Sequence, residues 1–481
     1  MLKRLFDLSG LTKNIIPDNV KKIHLIAVCG TGMGALACML KEMGYDVTGS
    51  DQRVYPPMSD FLARKGISLM EGFRGDNLSH RPDLVIVGNA VRKDNPEAVR
   101  MMETGLFYCS MPQALNHFMA KGKKTLLVTG THGKTTTSSI LAWILYKAGL
   151  DPSFMIGGIV KNFDSNYRIG NGDYFVVEGD EYDTAFFDKG PKFLHFDSSV
   201  TVLTSIEFDH ADIFRDLEHV KQAFGNMIGK IASGKLLIAY DGDENIDGLI
   251  KNRNCATERY GRKENSSWRL GQVFIKSSWT FFEVIKKGEV FGNFKTKLVG
   301  EHNLLNALSV IAVADHLSVP VDAVSEALET FEGIKRRQEV RGVKKGITVM
   351  DDFAHHPTAV RETIKAVKPF YSSGRMIAVF EPRTNSSMRK VFQDIYQLSF
   401  DGADIVCISV PPLLEKIPPG ERFSSKRLVE DLKSRGKDAY FFSNTRSIID
   451  FLVKEAEAGD LVLIMSNGGF ENIHERLLKA L

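Results

Sequence analysis

Gly130-Thr-His-Gly-Lys-Thr-Thr136 is the segment best suited to chemistry. An apolar run, Thr125–Val128, leads into it, and a helix-like stretch, Thr135–Ala148, follows. A strand that ends in a glycine turn leaves backbone N–H groups aimed at one centre, at a helix N-terminus whose dipole favours anions. Lys134 adds a positive charge for β- and γ-phosphates, and Thr135 offers a hydroxyl to a magnesium ion between phosphate oxygens. Gly130, Thr131, His132, Gly133, Lys134, Thr135 and Thr136 are therefore the candidate ATP contacts. The loop is shorter than the general phosphate-loop pattern, because Val128 stands where that pattern has its first glycine.

Magnesium needs further hard oxygen or imidazole ligands. Val176-Val-Glu-Gly-Asp-Glu-Tyr-Asp183 and Glu207-Phe-Asp-His-Ala-Asp212 each follow an apolar run. In a parallel sheet the C-terminal strand ends converge on one crevice, which would bring Glu178 and His210 to the phosphates that Lys134 serves. Asp209 or Asp212 would hold the second nitrogen of His210. A second glycine pattern, Gly30-x-Gly32-x-x-Ala35 with Asp51 about twenty residues on, meets the dinucleotide fingerprint with alanine in the last place. It says that a diphosphate can approach the backbone, and leaves open NAD, FAD or a nucleotide sugar. An NAD-dependent oxidoreductase is the alternative here, and it would leave the Lys134 loop without a purpose.

The elements that carry these loops repeat. Ile23–Val28 leads through Gly30–Gly34 to Ala35–Met43, Thr125–Val128 leads through Gly130–Lys134 to the second helix, and Ile347–Met350 leads through Asp351–Pro357 to a third. Each is a strand–loop–helix unit of a parallel α/β sheet. Polar stretches near 120–124 and 333–342 divide them, predicting domains at 1–122, 123–334 and 335–481. Alternation over Trp268–Lys297 predicts a small antiparallel insertion in the middle domain.

At 481 residues, length also favours about three domains. A net charge of +3 gives no reason to expect nucleic acid or a membrane as partner. Cys29, Cys38, Cys109, Cys255 and Cys407 are scattered, which argues against a disulfide framework or a zinc site and for a reducing cytoplasm. Met1 to Val20 has no signal-peptide pattern, and no run reaches the roughly 18 apolar residues of a membrane helix. A soluble cytoplasmic protein is expected, and a monomer is consistent with the sequence.

Taken in order, these segments resemble the Mur ligase family, which extends the peptide of the bacterial wall precursor. The resemblance runs from about Ile23 to His474. It rests on Gly30-Thr-Gly-Met-Gly34, Gly130–Thr136, Glu178-Gly-Asp-Glu181, Asp209-His210, Gly300-Glu-His-Asn-Leu-Leu-Asn-Ala307, Lys335-Arg-Arg337 and Asp351-Asp-Phe-Ala-His-His-Pro357. Asp-Asp-aromatic-x-His-His-Pro is similar to the branches that load L-alanine or an intact tripeptide onto UDP-N-acetylmuramate. Val54-Tyr-Pro-Pro-Met-Ser59, Gly88-Asn-Ala90, Phe208–Phe214, Glu381-Pro-Arg383 and Met465-Ser-Asn-Gly-Gly-Phe470 resemble the tripeptide branch.

The resemblance implies three domains: a Rossmann-like N-terminal domain, a P-loop-type central ATPase domain and a Rossmann-like C-terminal domain. It implies an ATP- and Mg2+-dependent ligase. That enzyme joins the lactyl carboxylate of UDP-N-acetylmuramate to the amine of L-Ala-γ-D-Glu-meso-diaminopimelate through an acyl-phosphate, with L-alanine as the alternative acceptor. Gly30, Thr31, Gly32, Met33 and Gly34 would hold the UDP diphosphate, with Asp51 near the nucleotide or sugar. Thr135, Glu178 and His210 would hold magnesium. His302 and Asn303 would meet the adenine, and Arg337 and Asp351 would reach the nucleotide from the third domain. Lys134, His355, His356 and Arg383 are the candidates for activating and orienting the reacting groups. Several family members carry a carbamylated lysine about fifteen residues beyond the metal histidine; here that region reads Ala223-Phe-Gly225, so no carbamate is expected there. A mechanical P-loop ATPase would leave the first loop and the third unit unexplained. A non-catalytic UDP-sugar sensor would have no need of Lys134 and Glu178.

Overall fold

The structure is a computed structural model, and it describes residues 13–54, 58–251 and 253–481. Part of the Met1–Val20 segment, and Tyr55–Pro57 within Val54–Ser59, lie outside the described residues. Two compact units emerge. One takes the described residues up to 206 with 221–268 and 309–327; the other takes 207–220, 269–308 and 328–481.

The first unit holds two sheets. Strands β1 (Lys22–Ile26), β2 (Asp46–Asp51), β3 (Ser68–Glu71), β4 (Leu84–Val87) and β5 (Tyr108–Ser110) form the order β3-β2-β1-β4-β5. Every pairing is parallel. Strands buried on both faces read as unbroken apolar runs, as Leu84-Val-Ile-Val87 does. The second sheet contains β6 (Lys124–Thr129), β7 (Ser153–Val160), β8 (Ser165–Arg168), β9 (Tyr174–Gly179), β12 (Ser198–Leu203), β13 (Leu236–Tyr240) and β14 (Ala256–Gly261). Within this unit its order is β14-β13-β12-β6-β9-β7-β8, parallel except for β8 at the edge. A separate antiparallel hairpin, β10 (Asp183–Ala185) and β11 (Asp188–Pro191), follows β9.

In the second unit, β15 (Trp268–Lys276), β16 (Trp279–Lys286) and β17 (Glu289–Thr296) lie in the order β17-β16-β15, with β16 and β17 antiparallel. The alternation expected over Trp268–Lys297 takes this form. Strands β18 (Glu339–Lys344), β19 (Ile347–Asp352), β20 (Met376–Phe380), β21 (Ile405–Ser409), β22 (Asp438–Phe442) and β23 (Leu461–Met465) form the sheet β18-β19-β23-β20-β21-β22. Only the edge strand β18 runs antiparallel to its neighbour. One apolar core covers each face of this sheet: Val360, Ile364 and Tyr396 on one side, Ile448, Leu452 and Leu477 on the other.

Candidate active site

The Lys134 loop is shaped by its neighbour strand. Gly130, at φ 127°, follows β6, and a Cβ there would stand 2.2 Å from Thr204 Oγ1. Only glycine allows that approach. Thr131 N–H donates to Ser205 O (2.9 Å) and His132 N–H to Ser205 Oγ (3.0 Å). Gly133, at φ 80°, caps the helix Lys134–Lys147, so the first-turn amides of that helix open at the loop. Lys134 Nζ donates to Gly130 O (2.5 Å), Thr131 O (3.2 Å) and both Glu181 oxygens (2.8 and 3.1 Å). Burial works against the ammonium, but Glu181, Asp180 and Glu178 outweigh it and hold its pKa above the ordinary lysine value. The loop thus presents a charged, positioned lysine.

Glu178 is the penultimate residue of the neighbouring strand β9. Its Oε2 accepts from Gly157 N–H (2.9 Å) and its Oε1 from Ser138 Oγ (3.2 Å). A Cβ on Gly157 would lie 2.5 Å from Glu178 Oε2 and 3.7 Å from Thr135 Oγ1. Two hard oxygens therefore face one hollow that glycine keeps open, a donor set that fits Mg2+. Gly157 was not foreseen; the Gly157-Gly158 pair inside β7 is the signal that marks a close backbone approach.

The first glycine loop follows β1. Ala27 adopts φ 67°, Gly34 N–H donates to Gly30 O (2.7 Å), and Gly30 precedes the helix Thr31–Glu42. Asp51 Oδ2 accepts from Cys29 N–H (2.9 Å), so this carboxylate shapes the loop as well as facing the space beyond it. A Cβ at Gly32 would press on Met111 Sδ at 3.3 Å, and one at Gly34 on Met58 Sδ at 3.2 Å. A cleft of about 830 Å³ runs from this loop to the hollow beside Gly157 and Glu178. Gly30–Met33, Asp51 and Arg53 line one wall, and Gly157, Glu178, Asp180 and Lys192 line the other.

His210 belongs to the second unit, on a loop after β12. Its φ is 53°, and its N–H donates to Asp209 Oδ1 (2.7 Å). Burial would raise the pKa of Asp209, but His210, His355 and His356, with a hydrogen bond from Ser386, hold it well below the ordinary value. Thr358 Oγ1 donates to Glu207 Oε2 (2.7 Å), Ala211 N–H to Ser386 Oγ (3.1 Å) and Asn385 Nδ2 to Asp212 Oδ2 (2.8 Å). The His210 loop is thereby stitched to the segments that carry His355 and Arg383.

His355 Nδ1 bonds Phe353 O (2.9 Å), its Nε2 lies 3.9 Å from Asp209 Oδ2, and burial lowers its pKa. His356 Nδ1 accepts from Thr358 N–H (3.2 Å), leaving Nε2 as the donor to Phe208 O (3.2 Å). With both nitrogens committed, His356 caps the helix Pro357–Val367 and holds the loop, which sets it apart from His355 as a proton acceptor. Arg383 Nη1 sits 3.5 Å from both oxygens of buried Glu381, which also accepts from Ser466 Oγ (2.6 Å). A Cβ on Gly468 would lie 2.2 Å from Arg383 Cδ. The Met465–Phe470 motif is therefore the floor under Arg383.

Asn303 Nδ2 donates to Val299 O (2.8 Å), and Asn306 Nδ2 reaches Asn303 Oδ1 (3.4 Å). Asn306, in the same Gly300–Ala307 motif, thus braces the Asn303 side chain. His302 lies beside Gly300, whose Cβ would stand 3.0 Å from the ring. Arg337 stacks on Phe353 at 4.8 Å. Asp351 is only 2% exposed and faces Arg336 (3.4 Å) and His474 (3.4 Å), so its carboxylate is engaged inside the domain. Arg336 in turn donates to Ser466 O and Gly468 O (2.7 Å each). The five cysteines are free, and four are buried. Among the described residues, no helix is long and apolar enough to cross a membrane.

Residues 22–123 match the family model "Mur ligase family, catalytic domain", 128–314 the "Mur ligase middle domain" and 336–468 the "Mur ligase, glutamate ligase domain". The chain belongs to the Mur ligase family, whose members are ATP-dependent ligases. Among its relatives, the UDP-N-acetylmuramate–L-alanyl-γ-D-glutamyl-meso-2,6-diaminoheptandioate ligase of Escherichia coli is 40% identical over 463 residues, 96% of this chain and 98% of that protein. The crystal structure of a murein peptide ligase from Psychrobacter arcticus is similar with a TM-score of 0.71 and 34% identity, covering 96% of this chain and 98% of that one. The UDP-N-acetylmuramate–alanine ligase of Thermotoga maritima gives a TM-score of 0.79 at 26% identity, covering 96% and 99%.

Proposed function

We propose that this protein joins the lactyl carboxylate of UDP-N-acetylmuramate to the amine of L-Ala-γ-D-Glu-meso-diaminopimelate, at the expense of ATP, in peptidoglycan recycling. The observation that carries this reading is the single cleft whose walls are the Gly30 loop and the Gly157–Glu178 hollow. A sugar nucleotide held by the first loop would extend its carboxylate toward the second. The division of labour assigned is UDP-sugar to 1–122, ATP to 123–334 and acceptor to 335–481. ATP, peptide and a nucleotide-linked precursor as substrates place the work in the cytoplasm, in keeping with unpaired cysteines.

The carboxylate is a poor electrophile, so one of its oxygens first attacks the γ-phosphorus of ATP and ADP leaves. The tripeptide amine then attacks the acyl carbon, loses a proton, and phosphate departs with that oxygen. Lys134, kept charged by Glu181, offsets the phosphate charge that opposes the first attack. Thr135 and Glu178 would hold Mg2+, which would neutralise charge as the phosphoryl group transfers. Arg383, buttressed by Glu381 and Gly468, receives an acceptor carboxylate. His355, with Nδ1 held by Phe353 O and Nε2 3.9 Å from Asp209, is the group suited to take the amine proton.

L-alanine is the second reading for the acceptor. Backbone similarity favours it, since the alanine ligase has the higher TM-score, whereas identity favours the tripeptide. The test is ADP release from ATP, Mg2+ and UDP-N-acetylmuramate with tripeptide or L-alanine supplied separately. Tripeptide-dependent release is expected; release with L-alanine alone would replace the first reading by the second.

A further inference from the structure

The cleft poses a charge problem. Asp51, Glu178 and Asp180 line it, and the sugar nucleotide adds a diphosphate and a carboxylate. Among the described residues lining it, two are cationic: Arg53 on the wall of the Gly30 loop and Lys192 on the opposite wall with Glu178. Lys134 is engaged by a carboxylate and two carbonyls of its own loop. A carboxylate drawn into such a cleft loses hydration and needs a cation in return.

We infer that Lys192 receives the lactyl carboxylate of the sugar nucleotide and positions it for attack; this rests on the ligase reading above. Lys192 follows β11 directly, at the foot of the β10–β11 hairpin. The tip of that hairpin is anchored: Phe186 and Phe187 pack on the core formed by Ile26, Val85 and Val87, and Phe187 meets Tyr108 edge-on at 4.8 Å. Its foot is anchored too, because Asn116 Nδ2 donates to His195 O and His195 Nε2 lies 2.8 Å from Asp188 Oδ2. The lysine stem is therefore carried on a braced element that touches the sheet bearing the Gly30 loop.

Besides lying over the Tyr182 ring at 5.9 Å, Lys192 has a carboxylate partner that is partly open to solvent. Lys192 Nζ is 3.2 Å from Asp180 Oδ2, and that aspartate side chain is 35% exposed, against 1% for the Glu181 that grips Lys134. Asp180 keeps a second bond, from Tyr182 N–H (2.8 Å), when the lysine turns to another anion. Lys192 is a positioning residue: it makes and breaks no bond, and it sets the carboxylate between the Gly30 loop and the Gly157–Glu178 hollow.

Calorimetric titration of the full-length protein with UDP-N-acetylmuramate and with UDP-N-acetylglucosamine, which lacks the lactyl group, isolates this contact. The wild type should bind the lactyl-bearing nucleotide about tenfold more tightly, as one partly shielded ion pair allows. Lys192→Gln should bind both equally, with its affinity for UDP-N-acetylglucosamine unchanged, and Lys192→Arg should regain part of the preference. A Lys192→Gln protein that keeps the full preference overturns the inference, as does one that weakens on both nucleotides alike, or a wild type without preference. A wild type that binds neither nucleotide overturns the ligase reading itself.

Discussion

The Lys134 ammonium lies 2.8 Å from Glu181 Oε2, and the Glu181 side chain is 1% exposed. The lysine that the glycine loop offers to phosphate is thus placed by a buried carboxylate that follows β9, the strand paired with β6. Lys134→Met should abolish ADP release, and it should also lower stability by about 3 kcal/mol, because an uncompensated carboxylate is left inside. The double variant Lys134→Met, Glu181→Gln should recover most of the thermal stability and none of the turnover. Calorimetry and an ADP assay on the same samples check both halves.

Gly157 keeps the space between Glu178 and Thr135 open. Gly157→Ala puts a methyl 2.5 Å from Glu178 Oε2, and the carboxylate must swing away. The magnesium concentration for half-maximal ADP release should rise roughly tenfold or more, the cost of one displaced ligand. Affinity for UDP-N-acetylmuramate should hold. An unchanged magnesium requirement would remove Glu178 from the metal site.

Both of these positions show where sequence reading stops. The glycine loops, Lys134, Thr135 and Glu178 were legible because strand, turn and helix are local, and short patterns record them. Gly157 was not, because it meets Glu178 only through the β7–β9 register, in which Met155 pairs with Val177. The Glu181 grip on Lys134 and the reach of Lys192 into the cleft are contacts of the same nonlocal kind. His356 and Asp351 stood in motifs that marked them for chemistry, yet the fold spends the two nitrogens of His356 on Thr358 and Phe208 and turns Asp351 toward Arg336 and His474. Spacing names a residue type and leaves its partners open.

Arg383 is 33% exposed and backed by Glu381 and Gly468. Arg383→Met should raise KM for the tripeptide by about ten- to a hundredfold, the worth of a charge-assisted pair, and leave KM for ATP in place. Steady-state kinetics with each substrate varied in turn distinguish this from a general loss of activity.

Asp351 links pH to stability. Burial alone would raise its pKa, but His474, Arg336 and Arg341 outweigh burial and hold it below the ordinary 3.8. A depressed carboxylate contributes stability above its unfolded pKa and loses it as pH falls through the folded value. Asp351→Asn should therefore unfold at lower temperature than the wild type at neutral pH, and the gap should narrow below pH 3.8. Thermal melts across the acid range read the trend, and a gap that widens on acidification would contradict the sign.

The most direct measurement follows the carboxylate oxygen. UDP-N-acetylmuramate carrying 18O in its lactyl carboxylate, incubated with ATP, Mg2+ and tripeptide, should yield one 18O in the released phosphate for every amide bond formed, because that oxygen attacks the γ-phosphorus and leaves with it. Unlabelled phosphate accompanying amide formation would contradict the acyl-phosphate and, with it, the reading of one cleft between the Gly30 loop and the Gly157–Glu178 hollow as the site of transfer.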